Sequence, residues 1–355
     1  MEKLKIAVVG VGSISSMHIK NYLANDKVEV YAFCDINEDR LKYMGEKYGI
    51  TRLYTDEAEM LKALPEIDAV SVCTWNSAHA PCTIMALKAG KHVLCEKPMA
   101  TNVEDAEAML AAAKESGKLL MIGFVRRFGR DADTVMDLIE AGSLGEIYYA
   151  KAQNLRRNGA PGGWFGDKSR SGGGPLIDLG VHSIDLVRYL LGKPRAVSVY
   201  GSAFTKLGNR SDLKSKKNYV SVGNKGKQDV YDCEDLATAM VRFENGAVLS
   251  VEMSFSLNVG KPENSIQLFG VESGVHMEKE VQVFGQMGGY LSDTSLGKDT
   301  GLDVDDAFKK EIDHYVDCIT GEAETCRAPA EDGVELMRIL TAIYESAECG
   351  HEVKL

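Results

Sequence analysis

Short apolar runs alternate with amphipathic stretches along the first third of the chain. LKIAVVG (4–10), KVEVYAFCD (27–35), AVSVCT (69–74), HVLCEKP (92–98) and LLMIGF (119–124) are β-rich and read as strands. Between them, residues 13–25, 37–48, 78–89 and 102–116 carry apolar positions at helical spacing. Strands separated by helices predict right-handed βαβ units and a parallel, doubly wound sheet. Near Phe124 the rhythm changes. EIYYAKAQNL (146–155), RAVSVYGSAF (195–204), LATAMVRFENGAVLSVEMSF (236–255) and NSIQLFG (264–270) follow mostly strand upon strand. Asn245-Gly246 inside the third run is a hairpin turn between two β segments. A mainly antiparallel sheet is expected there, with helices over 178–191, 304–319 and 331–348. The pattern divides the chain into domains 1–123 and 124–355.

Composition narrows the function classes. The 355 residues are enough for two cores, and the charged and apolar fractions are those of a globular protein. A net charge of −11 disfavours nonspecific nucleic-acid binding. No apolar run reaches the length of a membrane span, and the first strand begins almost at once without a secretory signal. The eight cysteines include no C-x-x-C pair and several sit in apolar runs. They are expected to be reduced core residues of a cytoplasmic protein, with no metal bound. Residues 205–230 are basic and almost without apolar pattern. That segment reads as an exposed loop, or alternatively as a flap over a site or a clasp on another subunit.

VVGVGSIS (8–15) places Gly10, Gly12 and Ser15 as G-x-G-x-x-S between a strand and a helix. Gly10 permits a tight turn, Gly12 lets the backbone approach a pyrophosphate, and the third position need only be small. Ser13 and Ile14 then open the helix, whose leading N–H groups suit phosphates. Asp35 ends the second strand, where a carboxylate can bind a ribose diol and repel a 2′-phosphate. NAD is therefore expected over NADP.

Four further motifs carry a family resemblance: CTWNSAHA (73–80), CEKPMA (95–100), GFVRRF (123–128) and GGGPLIDLGVHSIDLVRYLLG (172–192). In this order after a glycine-rich start, the chain resembles the Gfo/Idh/MocA oxidoreductases, the glucose–fructose oxidoreductase and inositol dehydrogenase group. The resemblance covers essentially the whole chain; Ser15 at the third glycine position is its departure. It implies an α/β protein: an N-terminal Rossmann domain, then an α/β domain with a large, open, mainly antiparallel sheet. It also implies a nicotinamide cofactor, a sugar, polyol or related small molecule as substrate, and a homo-oligomer. The family pattern matches Glu96, Lys97, Pro98, Asp178 and His182 directly.

The residues agree with that chemistry. Oxidising a secondary alcohol needs a hydride acceptor, a base and a group that stabilises an alkoxide. Asp178 and His182 are one helical turn apart and share a face. An imidazole, with an ordinary pKa of about 6.5, suits the base. Lys97 suits the stabiliser. Asp178 can bind a second hydroxyl, orient His182 or relay its proton. Thr74 and Asn76 follow a strand on the crevice side of the sheet and are candidates for the ribose or nicotinamide. Glu96 and Arg127 join the cofactor set, Arg127 having a salt bridge as its alternative. Trp164 is a candidate sugar platform or a packing anchor for its glycine-rich loop. Two other functions fit the same residues: an NAD-retaining glycosidase or glycoside 3-oxidase that oxidises a sugar hydroxyl transiently, and a non-catalytic nucleotide sensor.

Overall fold

A computed structural model describes residues 2–210, 213–214 and 230–355 of the chain. Two compact units emerge, Met1–Phe124 with Phe308–Met337, and Val125–Ala307 with Arg338–Leu355. The stretch 308–337 therefore packs with the first unit.

The first unit carries β1 (Leu4–Val9), α1 (Ser15–Ala24), β2 (Val28–Cys34), α2 (Glu38–Tyr48), β3 (Leu53–Tyr54), α3 (Glu57–Ala63), β4 (Ala69–Val72), α4 (His79–Lys88), β5 (His92–Glu96), α5 (Val103–Ser116) and β6 (Leu120–Gly123). The strands form one parallel sheet in the order β3-β2-β1-β4-β5-β6. Ile6, Val8, Val70, Val93 and Leu94 are fully buried, as central strands covered on both faces must be. Capping sets the helix ends. Asn37, Asp56 and Asn102 accept from Arg40, Glu59 and Asp105 N–H, and Gly49 and Gly117 close α2 and α5 in the left-handed conformation. The strand order reverses between β1 and β4, which opens the crevice where such sheets bind ligands.

The second unit holds α6 (Arg130–Glu140), β7 (Ile147–Leu155), α7 (Lys168–Ser171), α8 (Val181–Leu190), β8 (Ala196–Phe204), β9 (Leu236–Phe243), β10 (Val248–Ser254), β11 (Glu263–Gly270), β12 (Gly274–Met277), β13 (Val281–Met287), β14 (Tyr290–Ser295) and, at the end of the chain, β15 (Val353–Lys354). Two long helices, α9 (Val304–Thr320) and α10 (Ala330–Cys349), contribute residues to both units. The nine strands pair in the order β14-β13-β12-β11-β7-β10-β9-β8-β15. Every pair is antiparallel except β7 with β10. Residues alternate strictly along β9: Ala237, Ala239, Val241 and Phe243 are buried, while Met240 and Arg242 are exposed. The expected Asn245-Gly246 hairpin joins β9 to β10, with Gly246 at φ +88°.

The expected α-helix over 178–191 is different at its start. Leu176–Gly180 form a π turn, with Val181 N–H donating to Leu176 O, and α8 continues from it. The short segments β3, α3 and α6, and the strands β12 to β15, were not anticipated from the pattern. Of the basic segment 205–230, residues 211–212 and 215–229 lie outside the described residues. Among the described residues no helix is long and apolar enough to cross a membrane.

Candidate active site

In the first unit the glycine turn is locked against the ends of its neighbours. Gly10 has φ +83°, its N–H donates to Cys34 O at 2.8 Å, and a Cβ on it would lie 2.7 Å from the Cys73 carbonyl carbon. Only glycine fits. Gly12 is different: a Cβ there meets nothing nearer than Arg40 Nη1 at 3.9 Å, so the missing side chain leaves open room. Ser15 suits the third position because its hydroxyl folds back onto Gly12 O at 2.7 Å. Ser13 and Ile14 precede α1, where N–H groups lie ahead of the helical ladder. Asp35 Oδ2 accepts from Val11 N–H and Oδ1 from Asn37 N–H, both at 2.8 Å. Each oxygen keeps a lone pair for a ribose hydroxyl. Arg40 Nη1 stands 4.0 Å from that carboxylate. An open approach beside Gly12, a leading helix turn and a carboxylate at the end of β2 fit an adenine dinucleotide.

Thr74 and Trp75 are partly accessible after β4, while Asn76 is buried. The Glu96-Lys97-Pro98 segment is held from two sides. His18 of α1 reaches Glu96 Oε1 through Nε2 at 2.8 Å and Ser71 Oγ through Nδ1 at 2.8 Å. Burial opposes charge on both groups. Cys73 and Glu96 nevertheless raise His18 well above its ordinary pKa, and His18 lowers Glu96. Nearby Glu311 is shifted the other way, well up, by burial and then by the Glu96 charge. Glu96 Oε2 in turn accepts from Lys97 N–H at 3.1 Å. On the other side His79 Nδ1 bonds Pro98 O at 2.7 Å. Burial lowers the His79 pKa, so its neutral ring has one N–H, given to Pro98; the 3.3 Å approach of Nε2 to Thr74 O is the weaker contact. The sequence motifs pointed to neither His18 nor His79 as a support of this segment. Neither position carries a sequence signal beyond a histidine on a helix. From Val93 to Ala100 every residue is buried except Lys97.

The second unit repeats that arrangement. From Gly173 to Arg188 every residue is buried except Asp178 and His182. The π turn and the first turn of α8 thus present a carboxylate and an imidazole out of an apolar helix packed on β7. Gly173 and Gly174 answer to packing here. A Cβ on Gly173 would lie 2.1 Å from the Tyr344 hydroxyl, and one on Gly174 would lie 2.3 Å from Glu234 O. Glu234 caps the helix start, accepting from Gly174 N–H at 2.9 Å, Leu176 N–H at 3.2 Å and the Tyr344 hydroxyl at 2.9 Å. Arg127 belongs to this unit, with its side chain fully buried. It pairs bidentately with Asp185, Nε to Oδ2 at 2.9 Å and Nη2 to Oδ1 at 2.6 Å. Trp164 is partly accessible and stacks on Phe165 with ring centroids 4.1 Å apart.

Comparison with known proteins agrees with both halves. A family model described as "Oxidoreductase family, NAD-binding Rossmann fold" matches residues 4–124. A second, "Oxidoreductase family, C-terminal alpha/beta domain", matches residues 136–355. A D-glucoside 3-dehydrogenase of Escherichia coli is 33% identical over 99% of this chain and 97% of its own. A myo-inositol 2-dehydrogenase of Thermotoga maritima is 30% identical over 75% of this chain and 73% of its own. Among solved structures, an aldose-aldose oxidoreductase from Caulobacter crescentus, complexed with glycerol, has a TM-score of 0.80 at 29% identity, covering 100% of both chains. A levoglucosan dehydrogenase in complex with NADH shares the fold, with a TM-score of 0.84 at 23% identity over 99% of each chain. The chain therefore belongs to the Gfo/Idh/MocA oxidoreductase family and is an NAD-binding oxidoreductase.

Proposed function

We propose that the chain oxidises a secondary alcohol of a sugar, cyclic polyol or glycoside with NAD, using Lys97, Asp178 and His182. The observation that carries this reading is the accessibility pattern. In each unit the candidate side chains are the accessible ones in an otherwise buried run. Full-length likeness to a D-glucoside 3-dehydrogenase supports a glycoside or sugar hydroxyl as the target.

Bound NAD supplies the hydride acceptor. Lys97 donates hydrogen bonds to the substrate oxygen and stabilises the alkoxide that develops there. His182 takes the hydroxyl proton. Asp178 binds a second hydroxyl, orients His182 or relays its proton. Gly10, Gly12, Ser13, Ile14, Asp35, Thr74, Asn76 and Glu96 form the cofactor side, and Trp164 offers a face to the sugar. Arg127, given its buried pairing with Asp185, supports the helix that carries His182. Residues 1–123 serve the nucleotide and 124–355 the substrate, in a cytoplasmic homo-oligomer. Exposed, mutually paired Tyr200 and Met240 on the open face of the nine-stranded sheet support self-association there.

The test is NADH formation across inositols, hexoses, sugar acids and glycosides, after checking the purified protein for retained nucleotide. Net NADH with a keto product is expected. Release of an aglycone without net NADH would instead support transient oxidation by an NAD-retaining glycosidase. Bound nucleotide with no turnover would support a sensor. Lys97→Ala and His182→Ala should leave NAD binding nearly intact. They should lower kcat by about 10²–10³-fold and 10²–10⁴-fold respectively. A His182→Ala enzyme with wild-type turnover and an unchanged acid limb of its pH profile refutes the assignment of the base.

A further inference from the structure

We propose that His314, Cys318 and Cys326 form a three-ligand site for a thiophilic divalent cation, Zn²⁺ being the best fit. Their donor atoms all lie within 4.8 Å of one another. His314 and Cys318 stand one turn apart on α9, so they share a face. Cys326 comes from the segment that leads into α10. In a tetrahedral zinc site, ligand lengths of about 2.3 Å to sulfur and 2.0–2.1 Å to nitrogen put neighbouring donors about 3.5–3.8 Å apart. Cys318 Sγ lies 3.4 Å from His314 Nε2, close to that spacing.

The third ligand is also prepositioned. Glu322 and Ala323 N–H donate to Asp317 O at 2.9 and 3.1 Å, which turns the chain back at the end of α9. Lys27 bridges Asp317 and Glu322 at 2.8 Å each, fixing the same turn. Past Cys326, Arg327 N–H donates to His314 Nε2 at 2.9 Å, and Ala328 O accepts from Ile122 N–H at 3.0 Å on the edge strand β6. Cys326 is therefore held from both sides. Binding exchanges the Arg327 N–H bond for a metal–nitrogen bond, or flips the ring to present Nδ1, so the net affinity is below that of a fully free donor set.

The chemistry of the set selects the ion. Two sulfurs and one imidazole suit Zn²⁺ and disfavour Mg²⁺ and Ca²⁺, which take oxygen ligands. All three side chains are half-buried, which leaves access for the ion and for a water as fourth ligand. The spacing, H-x₃-C-x₇-C, matches no common zinc signature, which is why the cysteine pattern gave an expectation of no metal. Because the ligands join α9 to the segment that crosses the sheet edge, the ion would act on stability of the first unit.

The reduced, chelator-treated full-length chain should bind one Zn²⁺ in equilibrium dialysis with elemental analysis, and its unfolding midpoint should rise. Cd²⁺ in place of Zn²⁺ should give a thiolate charge-transfer absorption. In the wild type, zinc should protect Cys318 and Cys326 from alkylation, mapped by peptide mass spectrometry; this readout needs no variant to fold. Cys318→Ser and Cys326→Ser should lose stoichiometric binding, and His314→Gln should weaken it at least tenfold. Cys349→Ser is the control, since Cys349 has its own histidine neighbour, with Sγ 3.5 Å from His351 Nδ1. Binding lost in that control but kept in Cys318→Ser overturns the proposal. So does a wild type without zinc-dependent protection, or recovery of Cys318 and Cys326 as a disulfide that takes up no metal.

Discussion

The two glycines of the nucleotide turn should separate folding from binding. In Gly10→Ala the new methyl carbon meets Cys73 C at 2.7 Å and both Cys73 O and Thr74 N at 2.8 Å. The obstacle is backbone, and it cannot retreat: Cys73 N–H is bonded to Val9 O at 2.7 Å. Overpacking of this kind costs about 1–3 kcal/mol, and the left-handed φ of +83° adds about 1–2 kcal/mol for any L-residue. Gly10→Ala should therefore lose roughly 2–5 kcal/mol of stability before any cofactor is added. Gly12→Ala meets only Arg40 Nη1 at 3.9 Å, ordinary contact, so its unfolding free energy should stay within about 0.5 kcal/mol of wild type. The methyl instead occupies the space a pyrophosphate would take. A steric cost of about 1–3 kcal/mol in the complex corresponds to a roughly 5- to 150-fold weaker Kd for NAD. Thermal unfolding and calorimetric NAD titration of both variants give the four numbers required. Equal destabilisation by the two substitutions, or wild-type NAD affinity in Gly12→Ala, would refute the reasoning.

Two other perturbations test the electrostatics. Glu57 at the start of α3 is buried, and burial pushes its pKa up from 4.5 to about 7. The folded state then holds the proton more tightly than the unfolded state, so stability falls as pH rises from about 4.5 to about 7, by about 3 kcal/mol in all. Glu57→Gln should remove that slope, and denaturant titrations at pH 5 and pH 8 that still differ by the wild-type amount would exclude it. Removing one partner of the fully buried Arg127–Asp185 pair, as in Asp185→Ala, should cost about 3–5 kcal/mol. Arg195→Ala, which breaks the exposed pair with Glu244, should leave stability nearly unchanged. Comparable losses in the two variants would mean that burial is not what sets the value of these pairs.

What was legible in the sequence follows from which signals are local. Strands β1, β2, β4, β5 and β6 are apolar runs because both faces of a parallel sheet are covered, and they stand out. The glycine turn and Asp35 are equally plain, since their constraints act within one βαβ unit. Strands β13 and β14 escaped because their exposed residues, such as Met287, Tyr290 and Leu291, break the alternation that burial on one face would write. Helix α3 is a seven-residue stretch, too short for periodicity to declare itself. The two histidines around Glu96-Lys97-Pro98 were invisible for another reason. His18 lies 78 positions from Glu96, and a buried imidazole on a helix looks in sequence like any polar residue. Asp178 and His182 could be paired by spacing, but the π turn that presents Asp178 depends on Glu234 holding the N–H groups of Gly174 and Leu176.

The parallel pairing of β7 with β10 has a consequence for how the chain is made. β7 is the first strand of the nine-stranded sheet to leave the ribosome, yet it ends up between β10 and β11. Both neighbours are synthesised about a hundred residues later, so loop-closure entropy delays either pairing. In the interval the edges of Ile147–Leu155 are open templates for another chain. The hairpin of β9 and β10, with its own turn, can form on its own schedule and then recruit the waiting strand. Aggregation during synthesis should therefore begin in the nascent chain that has exposed residue 155 but not yet residue 254, a window that shielding by a chaperone would cover.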